Sequence, residues 1–120
     1  REDFYHLDTA VAVLDARPGH EQVAYLPSAF DAASLAELRR RYPDAIEASE
    51  EDAAAFALNA VSDGRHVVTA ASSTRFHAQL AARGFVPVGV ELGELLLAGG
   101  GAKCCTLEVR RPAMTGAAAA

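Results

Sequence analysis

The feature that most constrains this chain is a pattern of elements written twice. Residues 8–14 (DTAVAVL) are apolar and β-branched, Arg17-Pro18-Gly19 interrupts them, and residues 22–26 (QVAYL) resume an extended pattern. Asp31 stands as an N-cap before residues 32–42, where Leu35, Leu38 and Tyr42 recur on one helical face. Pro43 stops that helix, and residues 45–48 (AIEA) read as a short strand. The order then returns. Residues 57–61 (ALNAV) and 65–70 (RHVVTA) flank Ser62-Asp63-Gly64, a hairpin signal because glycine accepts positive φ. Ser72 or Ser73 caps a helix over residues 74–83, Gly84 suits its C-terminal end, and residues 85–90 (FVPVGV) close the unit. Gly19 and Gly64 are 45 residues apart, and Val23 and Val67 are 44 apart. The spacing predicts an α/β chain made of two ββαβ units.

Between the units, Ser49-Glu50-Glu51-Asp52 has capping-box spacing and opens a helical turn through Phe56, its acids expected in solvent. After the second unit, residues 94–97 suggest another helical turn. It runs into Ala98-Gly99-Gly100-Gly101-Ala102 and then a predicted strand over residues 104–110 (CCTLEVR). Residues 1–111 are expected to be one domain or a piece of one, and residues 112–120 a disordered tail too short for a helix of its own. The chain opens Arg-Glu-Asp-Phe, which reads as a fragment or a processed piece.

Composition narrows the partners. The net charge is −5, from 11 basic and 16 acidic residues, which argues against a nucleic-acid or anionic-membrane surface. No apolar run approaches the roughly 20 residues of a membrane helix. The two cysteines are adjacent, so they are no disulfide framework, and a reducing cytoplasmic setting is expected.

On a strand, Cys104 and Cys105 would face opposite ways, one toward a pocket and one into packing. The three glycines before them leave backbone open to a close-approaching ligand, a seat for a nucleophile. They are not a phosphate loop, because no Gly-Lys-Ser/Thr ending follows and no helix begins there. Of the histidines, His20 and His77 are expected in solvent, and His66 has no nameable partner. His6 heads His6-Leu7-Asp8-Thr9, and on a strand His6 and Asp8 would share a face as acid/base and cation holder. No CxxC or HxxxH pair suggests a metal.

Phe4-Tyr5-His6-Leu7-Asp8-Thr9, then Phe56-Ala57-Leu58-Asn59-Ala60-Val61, then Gly99-Gly100-Gly101-Ala102-Lys103-Cys104 stand in an order that resembles the guanidine-group-modifying enzymes. That superfamily includes dimethylarginine dimethylaminohydrolase, arginine deiminase and the amidinotransferases. The resemblance covers the chain to about Arg110. It implies an α/β propeller of five ββαβ units, this chain supplying about the last two and the closing strand. It implies Cys104 as nucleophile, His6 as acid/base and Asp8 as a carboxylate that holds guanidinium nitrogens. Asn59 matches a recurrent position expected to make a structural hydrogen bond.

The implied activity is cysteine-dependent hydrolysis of an arginine or methylarginine-type substrate through a covalent amidino-thioether, with no metal and no cofactor. An amidinotransferase remains an alternative, as does a non-catalytic piece. The family's further catalytic acid and most substrate contacts lie upstream of anything in this sequence. The implied partners are therefore a guanidino small molecule and the missing N-terminal half of the domain. A homodimer stays open; nucleic acid and membrane are not implied.

Overall fold

The computed structural model describes residues 2–109 and contains the repeat. In the first unit, β1 (Val11–Asp15) and β2 (Gln22–Tyr25) form an antiparallel hairpin. Helix α1 (Ala32–Arg41) crosses over, and β3 (Ile46–Glu47) returns parallel to β2. After a short helix α2 (Glu50–Ala54), the second unit repeats the scheme. β4 (Val61–Ser62) pairs antiparallel with β5 (His66–Ala70), α3 (Thr74–Ala82) crosses over, and β6 (Val86–Val90) lies parallel to β5. Each sheet has its strands in chain order.

Local chemistry explains most of these boundaries. The Asp31 carboxylate accepts the Ser34 N–H at 2.7 Å, capping α1. Ser49 Oγ accepts the Asp52 N–H at 3.2 Å and donates to the Asp52 carboxylate at 2.7 Å. Asp52 is thereby buried, contrary to the solvated acids expected there, while Glu50 and Glu51 stay exposed. Gly64 adopts φ +90° in the β4–β5 turn, a conformation that costs a side-chain-bearing residue about 1–2 kcal/mol.

One core serves both units. Leu14, Ala24 and Ile46 of the first pack with Leu58, Val67, Phe76, Leu80 and Phe85 of the second. Phe76 and Leu80 are completely buried, whereas Leu35 and Leu38 on the matching face of α1, and Tyr42 at its C-cap, are only half-buried. Truncating Phe76 to Ala would cost about 3–5 kcal/mol. β1 and β4 lie side by side, and Ser62 Oγ donates to the Leu14 carbonyl at 2.6 Å. The segments entering these two strands therefore arrive at the same end of the molecule. Among the described residues no helix is long and apolar enough to cross a membrane.

Three expected strands are shorter or absent, and at each the backbone amides of several residues are engaged in local turns or by Asn59. Residues 7–9 form a 3-10 turn, so β1 starts only at Val11. Residues 57–60 are not extended. Phe56 has φ +59°, Ala57 N–H reaches the Asp52 carbonyl and Asn59 N–H the Phe56 carbonyl, both at 3.0 Å. The third, over residues 104–110, gives way to a 3-10 turn at Lys103–Cys105; residues 106–109 join no sheet. The tail expected over residues 112–120 lies outside the described residues.

Candidate active site

The glycine loop grows out of helix α4 (Gly93–Leu97), which packs through Leu95 and Leu96 on Ala70, Leu92 and Ala102. Gly99 N–H returns to Leu96 O and Gly100 N–H to Leu95 O, both at 3.0 Å, and Gly99 takes φ +77°. With Ala102 buried, Lys103–Cys105 emerges at the surface as one tight turn. Cys104 and Cys105 are both exposed. Opposite strand faces, and with them a buried Cys105, are thus ruled out. A 3-10 turn with three residues per turn spreads successive side chains by about 120° instead. Cys104 Sγ lies 3.6 Å from where a Cβ on Gly100 would stand, and the Cys105 thiol donates to the Ala102 carbonyl at 3.2 Å.

The second arm precedes β1. The His6 carbonyl accepts the Thr9 N–H at 3.1 Å and the Thr9 hydroxyl at 2.7 Å, closing the 3-10 turn at Leu7–Thr9. His6 and Asp8 therefore do not share a strand face. The exposed His6 ring meets Tyr5 edge-on, centroids 4.5 Å apart, and Asp8 is half-buried. The Tyr5 hydroxyl in turn reaches within 3.8 Å of a Cβ position on Gly99.

Asn59 joins the two arms. Its Nδ2 donates to the Asp8 carbonyl at 3.2 Å, and its Oδ1 accepts the Gly101 and Cys104 N–H groups, each at 3.1 Å. Its own carbonyl accepts the Lys103 N–H at 3.0 Å. The side chain has no exposure to solvent. These bonds also explain the missing strand: the amides a ladder at residues 103 and 104 would use are taken by Asn59. Gly101 is required by the same contact, since a Cβ there would fall 2.9 Å from Asn59 Oδ1. A polar residue inside the apolar run ALNAV does signal a buried, satisfied amide, but nothing local names its partners.

The remaining histidines sit elsewhere. His66 Nδ1 meets the Asp63 carboxylate at 2.9 Å, a partner the sequence did not reveal. His77, expected in solvent, is half-buried with Nε2 3.0 Å from the Ala70 carbonyl. His20 is exposed and lines an open cleft of about 870 Å³ with Asp15, Arg17 and Arg65. Neither that cleft nor two smaller ones beside Tyr42 and Arg39 includes His6, Asp8 or Cys104. Among the described residues no group of three or more His, Cys, Asp or Glu is placed to hold a metal ion.

No family model matches the chain. The dimethylarginine dimethylaminohydrolase of Mycobacterium tuberculosis is 54% identical over 106 residues, covering 88% of this chain and 34% of that protein. The chain belongs to the guanidine-group-modifying superfamily. The superfamily is one of enzymes, and the structural neighbours lie in it as well. The N-terminal domain of ArgZ, a cyanobacterial arginine dihydrolase, solved with product bound, superposes with a TM-score of 0.82 at 39% identity. That match covers 93% of this chain and 40% of the ArgZ domain. A variant of the same domain, covalently bonded to a reaction intermediate, matches at a TM-score of 0.78 and 39% identity, over 87% of this chain and 38% of that one. The chain thus spans about a third of the curated relative's length.

Proposed function

We propose that this chain carries the nucleophile and the acid/base of a guanidino-group hydrolase acting on an arginine- or methylarginine-type substrate. One observation carries the reading: a single buried side chain, Asn59, bonds both the segment bearing His6 and Asp8 and the segment bearing Cys104. Its chemistry also discriminates. In acyl transfer, backbone N–H donors are aimed at a developing oxyanion. Here the Cys104 N–H is already taken by Asn59 Oδ1. A guanidinium brings N–H donors and positive charge of its own and develops no oxyanion on thiolate attack, so it calls for acceptors and carboxylates rather than N–H donors.

The Cys104 thiolate attacks the guanidinium carbon, forming a C–S bond while Asp8 holds the guanidinium nitrogens. His6 as imidazolium gives its proton to the departing amine as the C–N bond breaks, leaving an amidino-thioether. Neutral His6 then takes a proton from water. The water oxygen bonds to the same carbon, the C–S bond breaks, and a urea-type product leaves with the thiolate restored. The ArgZ structure with a covalent intermediate supports a covalent route.

The two like-ordered sheets, with β1 beside β4, fit two blades of a five-bladed propeller. The upstream catalytic acid and the substrate pocket then come from the rest of the domain, in keeping with clefts that avoid Cys104. Two exposed thiols suit the reducing cytoplasm. The test is turnover of arginine and methylated arginines by the complete enzyme, with mass spectrometry of the trapped adduct. Cys104→Ser and His6→Ala should each abolish turnover, the adduct should map to Cys104, and the 120-residue chain alone should be inactive. Turnover surviving Cys104→Ser would overturn the assignment.

A further inference from the structure

We infer that Asn59 is a positioning residue, whose donor end sets the His6–Asp8 arm and whose acceptor end sets the Cys104 arm in one fixed relation. The inference rests on the roles proposed above for His6, Asp8 and Cys104. A residue that only capped the glycine loop would need an acceptor for the Gly101 and Cys104 amides and nothing more. Asn59 has that acceptor, and it also spends a donor on the Asp8 carbonyl, 51 residues away in the chain.

The surroundings lock this carboxamide in place. Phe56 is the one described non-glycine residue with positive φ, at +59°, and its carbonyl closes the tight turn that aims Asn59 inward. Such backbone strain persists only where the rest of the structure over-determines it. On the other side, the space a Gly101 Cβ would take is bounded by Asn59 Oδ1 at 2.9 Å, Asn59 Cβ at 3.0 Å and Phe56 Cβ at 3.2 Å. With no exposure to solvent, the carboxamide cannot trade these bonds for bonds to bulk water.

The two ends can be separated experimentally. In the complete enzyme, Asn59→Asp keeps an isosteric acceptor for the loop amides but replaces the donor facing the Asp8 carbonyl. Gly101→Ala adds no charge and pushes the carboxamide from the loop side. Misplacing reacting groups by about 1 Å, or removing a supporting contact, lowers rates by about 10- to 100-fold. Each variant should lower kcat by that factor per titrated Cys104 thiol, with KM within about threefold. The double variant should lose less than the product of the two, because both break one linkage. A loop cap alone predicts that Asn59→Asp keeps kcat, and kcat within twofold of the parent in either folded variant overturns the inference. If Asn59→Asp does not fold, Gly101→Ala decides it. Cys104→Ser and His6→Ala, run alongside, report separately on the reading beneath: should they still turn over, that reading fails instead.

Discussion

The Cys105 thiol donates to the Ala102 carbonyl at 3.2 Å while its side chain stands at the protein surface. A buried Cys105 would lose about 1–3 kcal/mol on replacement by serine with its hydroxyl unpartnered. At this exposed site the hydroxyl of Cys105→Ser can take over the bond to Ala102 or reach water. Thermal melts of the chain should therefore agree with the parent within about 0.5 kcal/mol, and catalysis in the complete enzyme should survive. A clear loss of stability would mean Cys105 is covered in solution.

Asp8 offers a different separation. Its carbonyl takes the Asn59 bond, so Asp8→Asn leaves that structural contact untouched and removes only the carboxylate charge. Hydrogen bonds to charged groups contribute about 1.5–3 kcal/mol against 0.5–1.5 for neutral ones. The expected loss is about 1–2 kcal/mol of transition-state stabilisation, roughly 5- to 30-fold in kcat/KM. Unaltered steady-state constants would remove Asp8 from the substrate site.

Glycines at the two ends of α4 should respond oppositely. Gly99 has φ +77°, so Gly99→Ala should cost about 1–2 kcal/mol. Gly93 lies in the first turn of α4, without positive φ, and a Cβ there meets nothing within 4 Å. Gly93→Ala should stabilise by about 0.4–1 kcal/mol through the unfolded chain. Denaturant midpoints for the two variants measure both, and equal shifts of the same sign would contradict the loop geometry.

Acid should weaken the fold partly through Asp15. Its side-chain bonds from Arg17, including Nη2 to Oδ2 at 2.6 Å, and the Arg17 backbone N–H hold its pKa at about 2 instead of the ordinary 3.8. The carboxylate is favoured in the folded state, so its contribution is fully present above pH 3.8 and is lost as pH falls through about 2. Urea midpoints measured from pH 5 to pH 2 should fall less steeply for Asp15→Asn than for the parent. Identical slopes would show that the Arg17 pairing persists in the unfolded chain.

Much of the candidate site was named from sequence, but not its geometry. His6, Asp8 and Cys104 were singled out by motif, yet a strand was expected to present them. Asp8 and Cys104 stand instead on two 3-10 turns, with His6 as the N-cap of the first. The turns are closed by Thr9 on His6 O and by Thr106 N–H on Lys103 O. Asn59 was visible as a polar residue in an apolar run, and its expected structural hydrogen bond is there. Its partners are 51, 42 and 45 residues away. No window of local pattern contains them.

The sequence by itself determined the two hairpins, the Asp31 and Ser49 caps, the two crossover helices and the order in which they recur. These follow from side-chain period, turn glycines and caps, all of which act within about four residues along the chain. Only the tertiary structure decided where strands give way to turns. Residues 57–60 and 103–105 have β-compatible side chains, but their amides had other acceptors available, supplied by Phe56, Asp52 and Asn59. A backbone N–H must be satisfied, and it does not matter to the amide whether a ladder or a side chain satisfies it. That choice belongs to whichever acceptor the folded chain brings within 3 Å or so, and for Cys104 the acceptor arrives from the turn just before β4, 45 residues back in the chain.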